Sequence, residues 1–148
     1  MNPRRALLAC VVASVAAACG GPSSTVSPPA ELPSIVHVFS SSYTSTGAAS
    51  ALITMAVHNA ATTDDRLESV TCTCSATVRI VEPRPSGGTE PVRSVDLPPN
   101  QVVLMGPHGP HVTLTNLTPT PAAGSTVTLE LHFAHATPAT TVVAVGGS

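Results

Sequence analysis

Apolar and polar residues alternate in short runs through most of this chain, and Gly and Pro separate the runs. In the clearest run, Val127, Leu129, Leu131 and Phe133 are interleaved with Thr128, Glu130 and His132. A period of two places the first set on a buried face and the second in solvent. Ile53, Met55 and Val57 form a similar inward row. This pattern predicts strands at 35–40, 51–58, 67–73, 76–82, 91–97, 101–105, 111–116, 126–133 and 139–145. No segment sustains the period of a helix. Many short strands with turn signals between them predict an all-β domain, a sandwich or barrel of about one hundred residues.

Composition narrows the picture. Aromatic residues make up 2% of the chain and Trp is absent, so the core must be built from Val, Leu, Ile and Ala. Charged residues are 9% and the net charge is -2, which argues against a nucleic-acid partner, because that needs a basic surface. The 15 prolines and 10 glycines fall between the apolar runs and favour turns over helices. The chain shows no internal repeat and no charge block. It has no Gly-rich phosphate cradle, nucleophile elbow or paired-carboxylate constellation, and no H-x-H or H-E-x-x-H spacing, so an enzyme is not expected.

The N-terminal segment reads as an address. Arg4 and Arg5 precede the apolar run Ala6 to Ala18, which is too short for a permanent membrane helix. The run ends in Ala16-Ala17-Ala18-Cys19-Gly20, which resembles the lipobox of bacterial lipoproteins, although Ala16 stands where that motif usually has Leu or Val. The resemblance implies that Cys19 is lipidated and becomes the mature N-terminus. The membrane is then a partner, and the chain is held on the extracytoplasmic face of the bacterial envelope. The alternative is an ordinary secretory signal with an A-x-A cleavage site and an incidental Cys. Residues 20–34 form a Ser/Pro/Gly tether. The expected organisation is therefore a leader at 1–19, a tether at 20–34 and a β-domain at 35–148. Cys10 leaves with the leader, and Cys19, Cys72 and Cys74 remain.

The candidate chemistry gathers between Leu104 and Leu117, in the sequence LMGPHGPHVTLTNL. Gly106, Pro107, Gly109 and Pro110 break the backbone, and Val112 and Leu114 then restart the apolar period, leaving His111, Thr113 and Thr115 on the other face. His111 is thus expected at a loop-to-strand junction, with His108 three residues before it and Met105 at the end of the preceding strand. Metal sites are often built at such places from side chains held by a rigid strand end.

An ordered set of landmarks accompanies this stretch. Ala56-Val57-His58-Asn59 comes first, then Asp64-Asp65-Arg66-Leu67-Glu68-Ser69-Val70, then Val95-Asp96-Leu97-Pro98-Pro99-Asn100. His111-Val112-Thr113-Leu114-Thr115-Asn116-Leu117 and Gly124-Ser125-Thr126-Val127-Thr128-Leu129-Glu130-Leu131-His132-Phe133 follow. No one of them is specific, but in this order, over roughly Ile35 to Val145, they resemble the PCu(A)C family of periplasmic copper chaperones. The resemblance implies a cupredoxin-like Greek-key β-sandwich of eight or nine short strands. It also implies binding of Cu(I) outside the cytoplasm and delivery of copper to a receiving envelope protein.

The chain departs from the family at the ligands. The family pattern is H-x10-M-x21-H-x-M, two imidazoles and two thioethers, a soft set suited to Cu(I). His111 matches the second His, but Thr113 stands in place of the last Met, and no His or Met lies between Cys74 and Met105. Cys72 and Cys74 are candidate replacements, because residues two apart on a strand project to one face. Two thiolates with His111, joined by His108 or Met105, would suit Cu(I) or Zn(II). The two Cys also read as small core residues, as a bridge to another chain, or as a bridge to each other, the last at the strained edge of disulfide geometry along one strand. His37, His58, His132 and His135 read as surface or locally satisfied imidazoles. Two functions follow: a lipid-anchored copper-binding and copper-delivery protein, or a descendant without the copper site that acts as a structural or interaction lipoprotein.

Overall fold

Strand β2 (Ser50–Asn59) carries the inward row Ala51, Ile53, Met55 and Val57, all buried, and most of one sheet is assembled around it. The computed structural model describes residues 35–146; the expected leader and tether, with Cys19, lie outside the described residues. The other strands are β1 (Val36–Gly47), β3 (Asp65–Cys72), β4 (Ser75–Pro83), β5 (Thr89–Pro91) and β6 (Val95–Leu97), followed by β7 (Gln101–Met105), β8 (His111–Leu117), β9 (Thr126–Phe133) and β10 (Ala139–Ala144). One sheet runs β1-β2-β8-β4-β5, with β7 also paired to β2, and the second runs β10-β9-β3-β6. The architecture is an all-β sandwich, with ten strands among the described residues.

The two inner faces meet in one aliphatic core. Ile53, Met55, Ile80, Met105, Val112 and Leu114 come from the first sheet, and Leu67, Leu97, Val127, Leu129, Leu131 and Val143 from the second. The alternation read for β9 holds, with Val127, Leu129, Leu131 and Phe133 buried and Thr128 and Glu130 exposed. Removing this much apolar surface from water is the main stabilising term of the fold.

Two differences from the sequence reading have physical causes. The single strand expected at 91–97 is two short strands on different sheets, since β5 pairs with β4 while β6 pairs with β3. Apolar alternation does not report which sheet a strand joins, and here the chain crosses from one to the other between Pro91 and Val95. Strand β1 also runs to Gly47 rather than ending near residue 40. Its pairing with β2 continues past an irregularity between Phe39 and Ser42, where Ser40 takes φ 53°. Pairing to a formed neighbour thus carries the strand through the polar run Ser40-Ser41-Ser42.

Polar pins hold the loops at one end. The buried Asn59 side chain donates to Thr63 O and Leu97 O at 2.8 Å each and accepts from Ala61 N at 3.0 Å. The Asp65 carboxylate, 2% exposed, accepts from Arg66 N at 2.7 Å, His135 N at 3.0 Å and Ala136 N at 2.8 Å. Two landmark residues of the sequence, Asn59 and Asp65, are therefore structural: each satisfies backbone groups that would otherwise be buried without partners.

Candidate metal centre

The breakers Gly106, Pro107, Gly109 and Pro110 create a local feature beside β2. Both β7 and β8 pair antiparallel with the same side of β2, with Met105 opposite Met55 and Val112 opposite Ile53. Between these two pairs β2 advances two residues while its partner advances seven. The surplus is extruded as a loop over 106–110, closed by Gly106 N donating to Pro110 O at 2.9 Å and Gly109 N donating to Gly106 O at 3.0 Å. His108 is exposed within this loop, and His111 follows as the first residue of β8.

His111 is fixed and nearly buried, at 3% exposure. Val112 and Leu114 point into the core, so His111 and Thr113 face the outer side of the sheet. Its Nδ1 lies 2.9 Å from Gly109 O, and with Nδ1–H as the donor the Nε2 lone pair is left for another partner. Among the described residues no buried side-chain nitrogen or oxygen lacks a partner. A backbone carbonyl holding one ring nitrogen is the usual support of an imidazole that binds a metal through the other. Across the β4–β8 ladder His111 stands opposite Val81, a buried side chain that offers no ligand.

The other candidates are elsewhere. Met105, 2% exposed, belongs to the core between the sheets, on the opposite side of the first sheet from His111. Cys72 and Cys74 form a disulfide with a Cα–Cα distance of 5.2 Å. The sequence reading placed both on one strand, but Thr73 and Cys74 form a turn where the chain leaves β3 in one sheet for β4 in the other. The turn shortens the separation from the roughly 6.5 Å of two residues along an extended strand, and the bridge becomes accessible. The pair lies at the far end of β8, where Ser75 pairs with Leu117 and Thr118 N donates to Cys74 O at 3.4 Å. Val81↔His111 and Ser75↔Leu117 are six residues apart along the ladder, so His111 and the disulfide are separated by about 20 Å. The fold does not bring them together, and among the described residues no group of three or more His, Cys, Asp or Glu is arranged to hold a metal ion.

One pairing had no sequence signal. His37 and His58 are directly opposite on β1 and β2, with ring centroids 6.3 Å apart and planes 29° from parallel. Twenty residues separate them in the chain, so only knowledge of the β1–β2 register could have found them.

A sequence model of the LpqE-like lipoprotein family matches residues 34–145, almost the whole described domain. This chain belongs to the LpqE-like family. The LpqE-like domain also shares its fold with solved structures. The copper-bound PCuAC domain from PmoF2 aligns at TM-score 0.64 and 24% identity, covering 76% of this chain and 93% of that one. The apo PCuAC domain from PmoF1 aligns at TM-score 0.63 and 21% identity, covering 76% and 91%. The apo PmoF2 PCuAC domain aligns at TM-score 0.62 and 26% identity, covering 76% and 90%. No curated protein sequence matches the chain. The resemblance to the PCu(A)C family drawn from the ordered landmarks thus agrees with these solved folds, which are PCuAC domains.

Proposed function

We propose that this LpqE-like protein is a lipid-anchored copper-binding protein of the extracytoplasmic face that passes its ion to a receiving envelope protein. Copper is its cargo, carried as Cu(I), and Cys19 is the lipid attachment. The observation that carries this reading is His111, the first residue of β8, whose Nδ1 contact to Gly109 O leaves Nε2 as the nitrogen that can ligate an ion. His108, on the adjoining loop, is the nearest candidate to join it. The four-ligand soft set of the PCu(A)C pattern is not reproduced around His111, so binding there rests on imidazole and on groups supplied by solvent or the recipient. Cys72 and Cys74 become ligands only as a reduced pair, and then at a separate locus near Leu117.

The test is a Cu(I) titration of the full chain under reducing conditions against a chromophoric competitor. One bound equivalent that weakens in His111→Ala supports the assignment, and Cys72→Ser with Cys74→Ser shows whether the thiols contribute separately. Unchanged affinity in both variants removes these ligands from consideration. A second reading, an interaction lipoprotein of the same fold without copper, is favoured by the buried Val81 opposite His111 and by the lack of a three-ligand cluster among the described residues. Binding no stronger than that of a generic His-containing protein would select it.

A further inference from the structure

The outer face of the first sheet, over β1, β2 and β7, carries two cross-strand rows. One is His37–His58–Val102 and the next is Phe39–Ala56–Leu104. Val102 is 49% exposed, Phe39 44% and Leu104 74%, so this is an open apolar surface with two imidazoles set in it. Neither row contains a carboxylate, an amine or a guanidinium that would pair with the imidazoles. The sheet fixes their spacing: directly opposed antiparallel residues hold their Cβ atoms ~4.5–5.5 Å apart, and the rings here are 6.3 Å centre to centre. Two imidazole nitrogens bound to one ion at ~2.0–2.1 Å place the ring centres at about 5–6.5 Å, so the backbone already provides the required spacing and only side-chain rotation is needed.

We propose that His37 and His58 form a two-imidazole transition-metal site with open coordination positions, selective for copper over other divalent first-row ions. Imidazole suits copper, and at a given nitrogen site Cu(II) binds more tightly than its first-row neighbours. The open positions face solvent beside an exposed apolar surface, so a second protein can supply the missing ligands while it covers Phe39 and Leu104. This site is distinct from His111, which stands one residue before the Val112↔Ile53 pair and so lies about 13 Å along β2 from His58. A role in copper transfer rests on the functional reading above, whereas metal binding by the pair does not.

The experiment is titration of the full chain with Cu(II) chloride, read by competition and by electron paramagnetic resonance. The wild type should bind one equivalent with two nitrogen donors. His37→Ala and His58→Ala should each weaken it by at least the ~10–100-fold that loss of a mere supporting contact costs a metal site. His37→Gln and His58→Gln, which preserve bulk on the sheet surface, should do the same, and unchanged thermal unfolding in all four shows that they fold. His111→Ala should leave this equivalent in place, so failure of the His111 assignment and failure of this one are separate results. An equivalent held with unchanged affinity in His37→Ala and His58→Ala, or a wild type that binds no better than a variant carrying both substitutions, overturns the proposal.

Discussion

At the scale of single residues, a few buried polar side chains hold the loops to the aliphatic core. Asp65 accepts three backbone N–H groups, two of them from the segment after β9, so its carboxylate joins β3 to a distant loop. Asp65→Asn puts an N–H where an acceptor is required and leaves a buried donor unpaired. It should destabilise the domain by about 2–3 kcal/mol, seen as a lower urea midpoint at unchanged slope. Gly124 offers a contrasting case: its φ is 79°, and an added Cβ would meet nothing within 4 Å. Gly124→Ala should therefore cost about 1 kcal/mol through the backbone alone, as a small fall in Tm.

At the scale of elements, β9 separates burial from exposure within one strand. Leu129 is fully buried and Thr128, its neighbour, is exposed. Leu129→Ala should lose about 2–5 kcal/mol of stability through transfer and cavity terms, while Thr128→Ala should stay within about 0.5 kcal/mol. Equal effects in thermal unfolding would mean the face assignment is wrong. The excursion between β7 and β8 belongs to this scale as well. Its breakers are plain in the sequence, but its position is not, because two strands that both pair with the same side of β2 look like ordinary neighbours in a linear reading. The cause is geometric: only the register against β2 shows that five residues have been pushed out of the ladder, leaving His111 at the point where it resumes.

At the scale of the whole molecule, stability comes from one aliphatic core shared by two sheets, and the imidazoles and the disulfide are peripheral to it. The protein should unfold in a single cooperative transition that persists, with only a small fall in Tm, when a copper chelator strips it of metal. A large fall would show that a bound ion contributes to the fold. Reduction of Cys72–Cys74 frees a loop closed over only three residues, so the chain-entropy contribution lost is about 1–2 kcal/mol. Denaturant unfolding with and without reductant measures it. The exposed pairs Arg66–Glu68 and Arg84–Glu90, at 3.7 Å and 3.1 Å, add little to this balance because solvent screens them.

What the sequence determined by itself was local or ordered along the chain. Period-two alternation gave the strands and the faces of β2 and β9, Gly and Pro gave the turns, and the succession of landmarks from Asn59 to Phe133 gave the family and with it the sandwich. The tertiary structure alone decided which distant residues meet. It put Cys72 and Cys74 on a turn rather than a strand, set them about 20 Å from His111, returned Met105 to the core, and divided 91–97 between two sheets. It also brought His37 and His58 face to face across β1 and β2. The physical reason is the same in each case. Alternation is a property of one strand and can be read from it, whereas register and sheet membership come from pairing between strands far apart in sequence, and a shift of one residue moves every side chain to the other face.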